Sequence, residues 1–325
     1  MIKIFGLNLV TLFITMVGQA QVILPQAGIS NGLIQANLYL PDAQKGYYRG
    51  ARFDWAGVIS ELNYQGHSYF GQWFEKYSPT LHDAITGPVD AFYPVGFDEA
   101  KTGEQFLKIG VGMLVKQQEP KYSIAAPYEI ANSGKWKVKK KSNRVIFVHK
   151  LEANGYGYQY TKTVELVKGK PELKLTCKLK NTGTRPIETN VYNHNFFVMD
   201  QVTTGPDYVV TFPFQVTGEL TSGKDLGKLV GNQLIFVKPL VKGNTVFSPG
   251  LLGFGPGAKD YDIRIENKKT GAAVRIKGDQ PLLKMVFWSA LRTVCPEPYI
   301  AVNVKPGESK KWNINYEFYI NDVKK

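Results

Sequence analysis

Two stretches hold the side chains best suited to moving protons. NVYNHNFFVMD, from Asn190 to Asp200, sets His194 between two asparagines and ahead of two phenylalanines, and LRTVCPEPYIAVNVKPGE, from Leu291 to Glu308, sets Glu297 between two prolines. A histidine titrates near neutrality and a carboxylate accepts protons there, so the two types together could perform general acid–base catalysis. Each also has an inert reading. A lone strand histidine is commonly a hydrogen-bonded core residue, and a glutamate beside prolines is commonly a solvated turn.

Other chemistries find less support. The four histidines, His67, His82, His149 and His194, show no HxH or HExxH spacing, and Cys177 and Cys295 form no CxxC, so no transition-metal site is expected. Asp260 and Asp262 flank a turn without the ligand-rich loop that calcium needs. The glycines of GFGPGAKD, from Gly253, precede a strand-like DYDIRIEN and lack the helix N-terminus of a phosphate cradle. No serine sits in a GxSxG elbow.

The elements that must position these residues alternate with period two. ELKLTCKLK buries Leu173, Leu175, Cys177 and Leu179, and KWNINYEFYI buries Trp312, Ile314, Tyr316, Phe318 and Ile320. Turn signals recur at Gln65-Gly66, Lys168 to Pro171, Asn181 to Gly183, Pro256-Gly257 and Lys305 to Gly307. No segment sustains helical spacing beyond a turn or two around Asp98 to Gly103. The class is all-β, and strands without a helical layer must cover one another as a large antiparallel β-sandwich or a closed barrel. Neither a fixed repeat nor a Pro/Ser linker divides the chain, so one domain over residues 21–325 is expected. Prolines cannot join a central ladder, so the chain should leave its sheet at Cys295 to Pro298. Far apart in sequence, the two cysteines are expected to be free or buried thiols.

Residues 1–20 read as a secretory signal: Lys3, an apolar run from Ile4 to Val17, then Gly18, Gln19 and Ala20. Export to the periplasm or the extracellular space is expected, with no membrane segment after cleavage. Forty Lys and Arg against 27 Asp and Glu give +13, or +12 once Lys3 is lost. The densest basic cluster, KWKVKKKSNR from Lys135 to Arg144, reads as an edge strand protected from unwanted pairing, ahead of any nucleic-acid surface. An anionic polysaccharide is a minor alternative.

Together the two motifs resemble the aldose 1-epimerase (galactose mutarotase) superfamily. Its Asn-His-x-aromatic-aromatic strand is matched by Asn193, His194, Asn195, Phe196 and Phe197, and its later Cys-x-Glu stretch by Cys295, Pro296 and Glu297. A Pro-Gly-Glu turn then leads into the closing aromatic strand, as in PGESKKWNINYEF, and RGARFDWAGVISELNYQGHSY is similar to the opening hairpin, folding back around Gly57. The likeness runs from Thr189 to Phe318 and is looser before it. One departure is plain: the aspartate with which the family grips sugar hydroxyls has no counterpart in PLVKGNTVFSPGLLGF.

The resemblance implies a galactose mutarotase-like supersandwich that interconverts sugar anomers without a metal or organic cofactor. Glu297 would be the base, held ionised, and His194 the acid, as imidazolium. His82 is the rough counterpart of the family's earlier substrate-binding histidine. Arg49, Arg52, Lys284 and Arg292 are candidates to bind an anionic group. Arg52 is favoured because it alternates with Phe53 and Trp55 in a strand that reads as buried. Trp55, Trp73, Phe74, Trp288 and Tyr299 are candidates to stack on a pyranose, most of them being core. Asn193 is a candidate for sugar hydroxyls, although alternation turns it and Asn195 to the face opposite His194. The expected ligand is a neutral hexose or a uronate, bound by a monomer. The rivals are a sugar-binding protein without turnover and, third, a glycosidase that pairs Glu297 with another carboxylate.

Overall fold

The computed structural model describes residues 24–323, so the signal read in residues 1–20 lies outside the described residues. The chain is nearly all antiparallel sheet. Among the described residues the helical content is a single 3₁₀ turn, Ala258–Asp260, and the stretch around Asp98 to Gly103 forms turns.

Two large sheets form the body. The ten-stranded sheet runs in spatial order from Gly227–Val230 through Gln233–Phe236, Tyr208–Thr211, Asp262–Asn267, Ala272–Gly278, Ser309–Ile320, Glu172–Asn181, Tyr156–Leu166 and Arg144–Ala153 to Lys135–Lys141. The six-stranded sheet runs through Thr217–Gly218, Val246–Leu252, Lys284–Ala290, Thr293–Val304, Ile187–His194 and Val89–Phe92. Smaller sheets of four strands (Gln26–Ser30, Ile34–Tyr39, Val58–Tyr64, His67–Phe70) and three strands (Gln105–Lys108, Gly112–Val115, Ile130–Asn132) complete it.

Alternation explains how the layers meet. In Tyr156–Leu166 the residues Tyr156, Tyr158, Tyr160, Lys162, Val164 and Leu166 are all buried, and Leu173, Leu175, Cys177 and Leu179 do the same on the next strand. They share one core with Met285, Phe287, Ile300, Val302 and Val304 of the six-stranded sheet, so the two sheets pack face to face. Burying one such large apolar side chain contributes roughly 1.5–3 kcal/mol. The other face of the six-stranded sheet supports a second cluster with Phe53, Trp55, Phe106, Val111, Leu114 and Tyr128, contributed by loops and the three-stranded sheet. The lysine-rich Lys135–Lys141 is indeed an edge strand, and Cys177 and Cys295 are free and buried.

One expectation fails instructively. Thr293–Val304 is one unbroken strand through both prolines, paired Met285 to Pro298 and Phe287 to Pro296. The carbonyl of Tyr299 accepts from the Leu283 amide on the Lys284–Ala290 side, so the prolines direct their nitrogens the other way, toward Ile187–His194. There the ladder stops at Tyr192 opposite Tyr299 and resumes only at the bridge between Phe197 and Val294. The missing donors therefore fall in a local gap, and the strand keeps its full bonding on its other side.

Candidate active site

The pocket face of the six-stranded sheet is built from odd and even positions in turn. Val89, Tyr192, His194, Lys284, Val286, Trp288, Cys295, Glu297 and Tyr299 share it, while Asp90, Asn193, Pro296 and Met285 turn toward the ten-stranded sheet. With Tyr192 opposite Tyr299, two further steps along the same register set His194 opposite Glu297, between Val89 on one side and Val286 on the other. His194 Nε2 lies 3.2 Å from Glu297 Oε1, and the two side chains are only 3% and 6% exposed.

Aromatic rings pack around the imidazole. The imidazole stacks on Phe196 at 3.7 Å between centroids and 8° between planes, and meets Phe53 and Trp288 edge-on at 5.6 and 5.8 Å. Rings at i and i+2 of a regular strand do not approach so closely. Phe196 achieves it by leaving the strand in the left-handed region, φ 41°, an uncommon conformation for a bulky residue and one that costs about 1–3 kcal/mol.

The cavity above the pair has a volume of about 330 Å³, within the range of ~300–1,000 Å³ usual for small-molecule sites. Arg52, His82, Asp83, Lys284 and Tyr192 give it polarity, and Trp73, Trp288, Tyr299, Phe247 and Pro249 give it apolar walls. Arg52 donates from Nε and Nη2 to the Tyr192 hydroxyl at 3.2 Å and lies over the Phe53 ring. It reaches the cavity from an irregular segment, contrary to the expected strand.

Charge at this buried pair differs from the sequence expectation of an ionised glutamate facing an imidazolium. Burial pushes His194 well below the ordinary histidine range, and nearby Arg52 lowers it further. Burial also lifts Glu297 to about 7, against the opposing pull of Arg52 and Lys284. Below about pH 7 the pair therefore holds its proton on the carboxyl, 3.2 Å from a neutral imidazole. The buried Nδ1 has no partner among the described residues.

Behind the sheet a polar network fastens both strands. Asn193 Nδ2 donates to Asp90 Oδ1 at 2.8 Å. The Tyr316 hydroxyl lies 2.6 Å from Asn193 Oδ1 and 2.9 Å from Asn195 Oδ1. Asn195 Nδ2 donates to the Pro296 carbonyl at 2.7 Å, spanning the gap left by the prolines. Deeper still, the buried Lys162 ammonium lies 2.9 Å from Asp90 Oδ2 and 3.3 Å from Asp54 Oδ2, and donates to the Ala56 carbonyl at 3.0 Å. Burial nevertheless raises Asp54 to about 6, against the pull of Lys162.

The structure gathers Glu297, His194, Arg52, His82, Lys284 and Trp288 around one cavity. It leaves three candidates outside. Asn193 points into the network behind the sheet, as alternation requires. Arg49 lies off the cavity wall, its Nε buried and without a partner among the described residues. Exposed Arg292 borders a separate hollow with Gln72, Glu75 and Leu291. Of the aromatic candidates, Trp55 is core and donates to the Gly50 carbonyl. Among the described residues no group of three His, Cys, Asp or Glu side chains has the geometry to hold a metal ion, and Asp262 pairs with Arg275 at 2.6 Å. Sequence reasoning missed Asp83 and Tyr192, whose signals were adjacency to His82 and the i−2 position on the face of His194. The stretch without the expected aspartate supplies Phe247 and Pro249 instead.

No family model matches the chain, and no curated protein matches it in sequence. Solved structures do. A galactose mutarotase related enzyme from Lactobacillus acidophilus is 14% identical, with 92% of this chain and 100% of that one covered and a TM-score of 0.56. A galactose mutarotase-like protein from Clostridium acetobutylicum is 13% identical over 91% of this chain and 95% of that one, TM-score 0.56. An aldose epimerase homologue from C. elegans is 13% identical over 92% and 100%, TM-score 0.52. The chain has the all-β galactose mutarotase-like fold. At such identities the likeness speaks for the fold, and activity must be argued from the pocket itself. Among the described residues no helix is long and apolar enough to cross a membrane.

Proposed function

We propose that the chain is an aldose 1-epimerase-like isomerase that interconverts the anomers of a free sugar by ring opening and closure. The observation that carries this reading is the His194 to Glu297 contact of 3.2 Å at the floor of a cavity with aromatic walls. One group removes the proton from the C1 hydroxyl while the other delivers a proton to the ring oxygen. The C1 to ring-oxygen bond breaks, the open-chain carbonyl turns about C1–C2, and closure on its other face inverts C1. A pair carrying one proton can do both tasks, with the roles exchanged in the reverse direction. No cofactor is required.

A hexose or uronate is the substrate class we favour, since Trp73, Trp288 and Tyr299 offer apolar faces and Arg52 and Lys284 offer cations. Placement of the protein in the periplasm or outside the cell is proposed from residues 1–20 alone. The experiment is anomer exchange followed by NMR on freshly dissolved neutral and acidic sugars. Glu297→Gln and His194→Asn should each lower the exchange rate by about 10²- to 10⁴-fold. Wild-type exchange no faster than in buffer would overturn the reading. Sugar binding without exchange would then favour the rival binding protein, which draws support from Phe247 and Pro249, and no carboxylate, lining the cavity from the stretch PLVKGNTVFSPGLLGF.

A further inference from the structure

A second cavity, of about 410 Å³, adjoins the first. Ile124, Tyr192, Lys284 and Tyr299 border both, so the Tyr192–Tyr299 stack, 4.5 Å between centroids, is a shared wall. Beyond it lie Tyr93, Tyr122, Asn190, Leu283 and Lys108. Tyr93, Ile124 and Leu283, 48%, 47% and 54% exposed, gather a contiguous apolar surface at this cavity, the kind of patch that marks a binding groove more often than a bare surface.

Lys108 is the informative member. It is 2% exposed, an unusual place for a lysine, and no carboxylate among the described residues lies within ion-pair distance. Its ammonium donates to the Phe92 carbonyl and, at 2.9 Å, to the Tyr122 hydroxyl, so one of its three N–H donors is unassigned. Lys284, on the shared wall, likewise has no carboxylate partner among the described residues. The lining of this cavity contains no acidic residue. Burial, helped by Arg52, holds Lys108 down to about 7, so a bound anion would relieve an unfavourable charge.

We propose that the second cavity is a subsite for an anionic sugar unit, which makes the substrate the reducing end of an acidic oligosaccharide. The terminal ring, with its free anomeric carbon, lies against His194 and Glu297. The next ring packs on Tyr93, Tyr122 and Tyr299, and its carboxylate meets Lys108 and Lys284. The inference rests on the reading of the first cavity as the seat of the reacting ring. The chain's +13 charge suits a polyanionic partner.

The test is calorimetric binding of three disaccharides built from galacturonate, glucuronate or mannuronate, alongside the matching monouronates and lactose. At least one diuronate should bind about tenfold tighter than its monouronate and than lactose, a difference of ~1.4 kcal/mol. Lys108→Met should cut that preference below about threefold. Tyr93→Ala, at an exposed position where folding is not at stake, should do the same. Equal binding of diuronates and monouronates, no diuronate binding, or a preference that survives both substitutions would overturn the subsite. Anomer exchange by the wild type separates the two readings. Exchange without diuronate preference removes the subsite and leaves the isomerase, whereas a Lys108-dependent preference without exchange keeps the subsite and removes the isomerase.

Discussion

Lys162→Met removes the ammonium that joins the two large sheets beneath the pocket. In the intact protein that ammonium is shared by Asp90 and Asp54, all three side chains being at most 2% exposed. Breaking a buried pair from one side typically costs about 3–5 kcal/mol because the remaining charge has no compensation. Asp54 gives an independent scale: a carboxyl held from its ordinary 3.8 up to about 6 already costs ~3 kcal/mol when ionised, even with Lys162 beside it. A carboxyl raised in this way contributes stability below its ordinary range and loses it as pH rises through about 6. Without Lys162 that loss grows, since the facing carboxylates repel with no cation between them. Urea unfolding of wild type and variant at pH 5, 6, 7 and 8 should therefore show a destabilisation of about 3–5 kcal/mol at pH 8 that shrinks toward pH 5. Adding Asp54→Asn should recover part of it at pH 8. A destabilisation below about 1 kcal/mol, or one that is constant across the pH range, would refute the reasoning.

The same logic applies to the pocket. Because Glu297 is raised to about 7 by burial, kcat/KM for anomer exchange should fall as pH rises through that value and the pair loses its proton; a flat profile from about pH 5 to 9 would contradict it. Asn195→Ala leaves the Pro296 carbonyl without its amide donor, while the Tyr316 hydroxyl keeps Asn193 Oδ1, so unfolding in urea should reveal a loss of about 1–3 kcal/mol. No measurable loss would mean that the proline gap is held by packing alone.

That His194 and Glu297 are the side chains to watch could be read from the sequence because each lies in a short patterned stretch, and the β class because alternation is strong in Glu172–Asn181 and Ser309–Ile320. Alternation also separated Tyr192 and His194 from Asn193, yet a polar residue next to a catalytic candidate invites assignment to the same pocket. Arg49 and Arg292 illustrate how little a basic residue near a motif says about where its head group lies. The prolines misled because the ladder rule applies to each side of a strand separately, and sequence does not show on which side a neighbour is missing. The Asp54–Asp90–Lys162 cluster joins three distant segments. Lys162 on the buried face of YGYQYTKTVEL signalled that a counter-charge must exist but not which carboxylates would supply it. Asp83 and the second cavity depend on loop paths, which leave no periodic trace.

Pro296 and Pro298 withhold two rungs from the seam between the histidine and glutamate strands. Between Tyr192 and the bridge at Phe197 the two strands are tied by the Asn195 side-chain amide in place of ladder bonds. For the isomerase proposed above, in which the two groups would exchange duties as the ring opens and closes, the incomplete seam lies directly beneath the pair, so substitutions that restore its rungs, Pro296→Ala or Pro298→Ala, would report on whether the exchange depends on it.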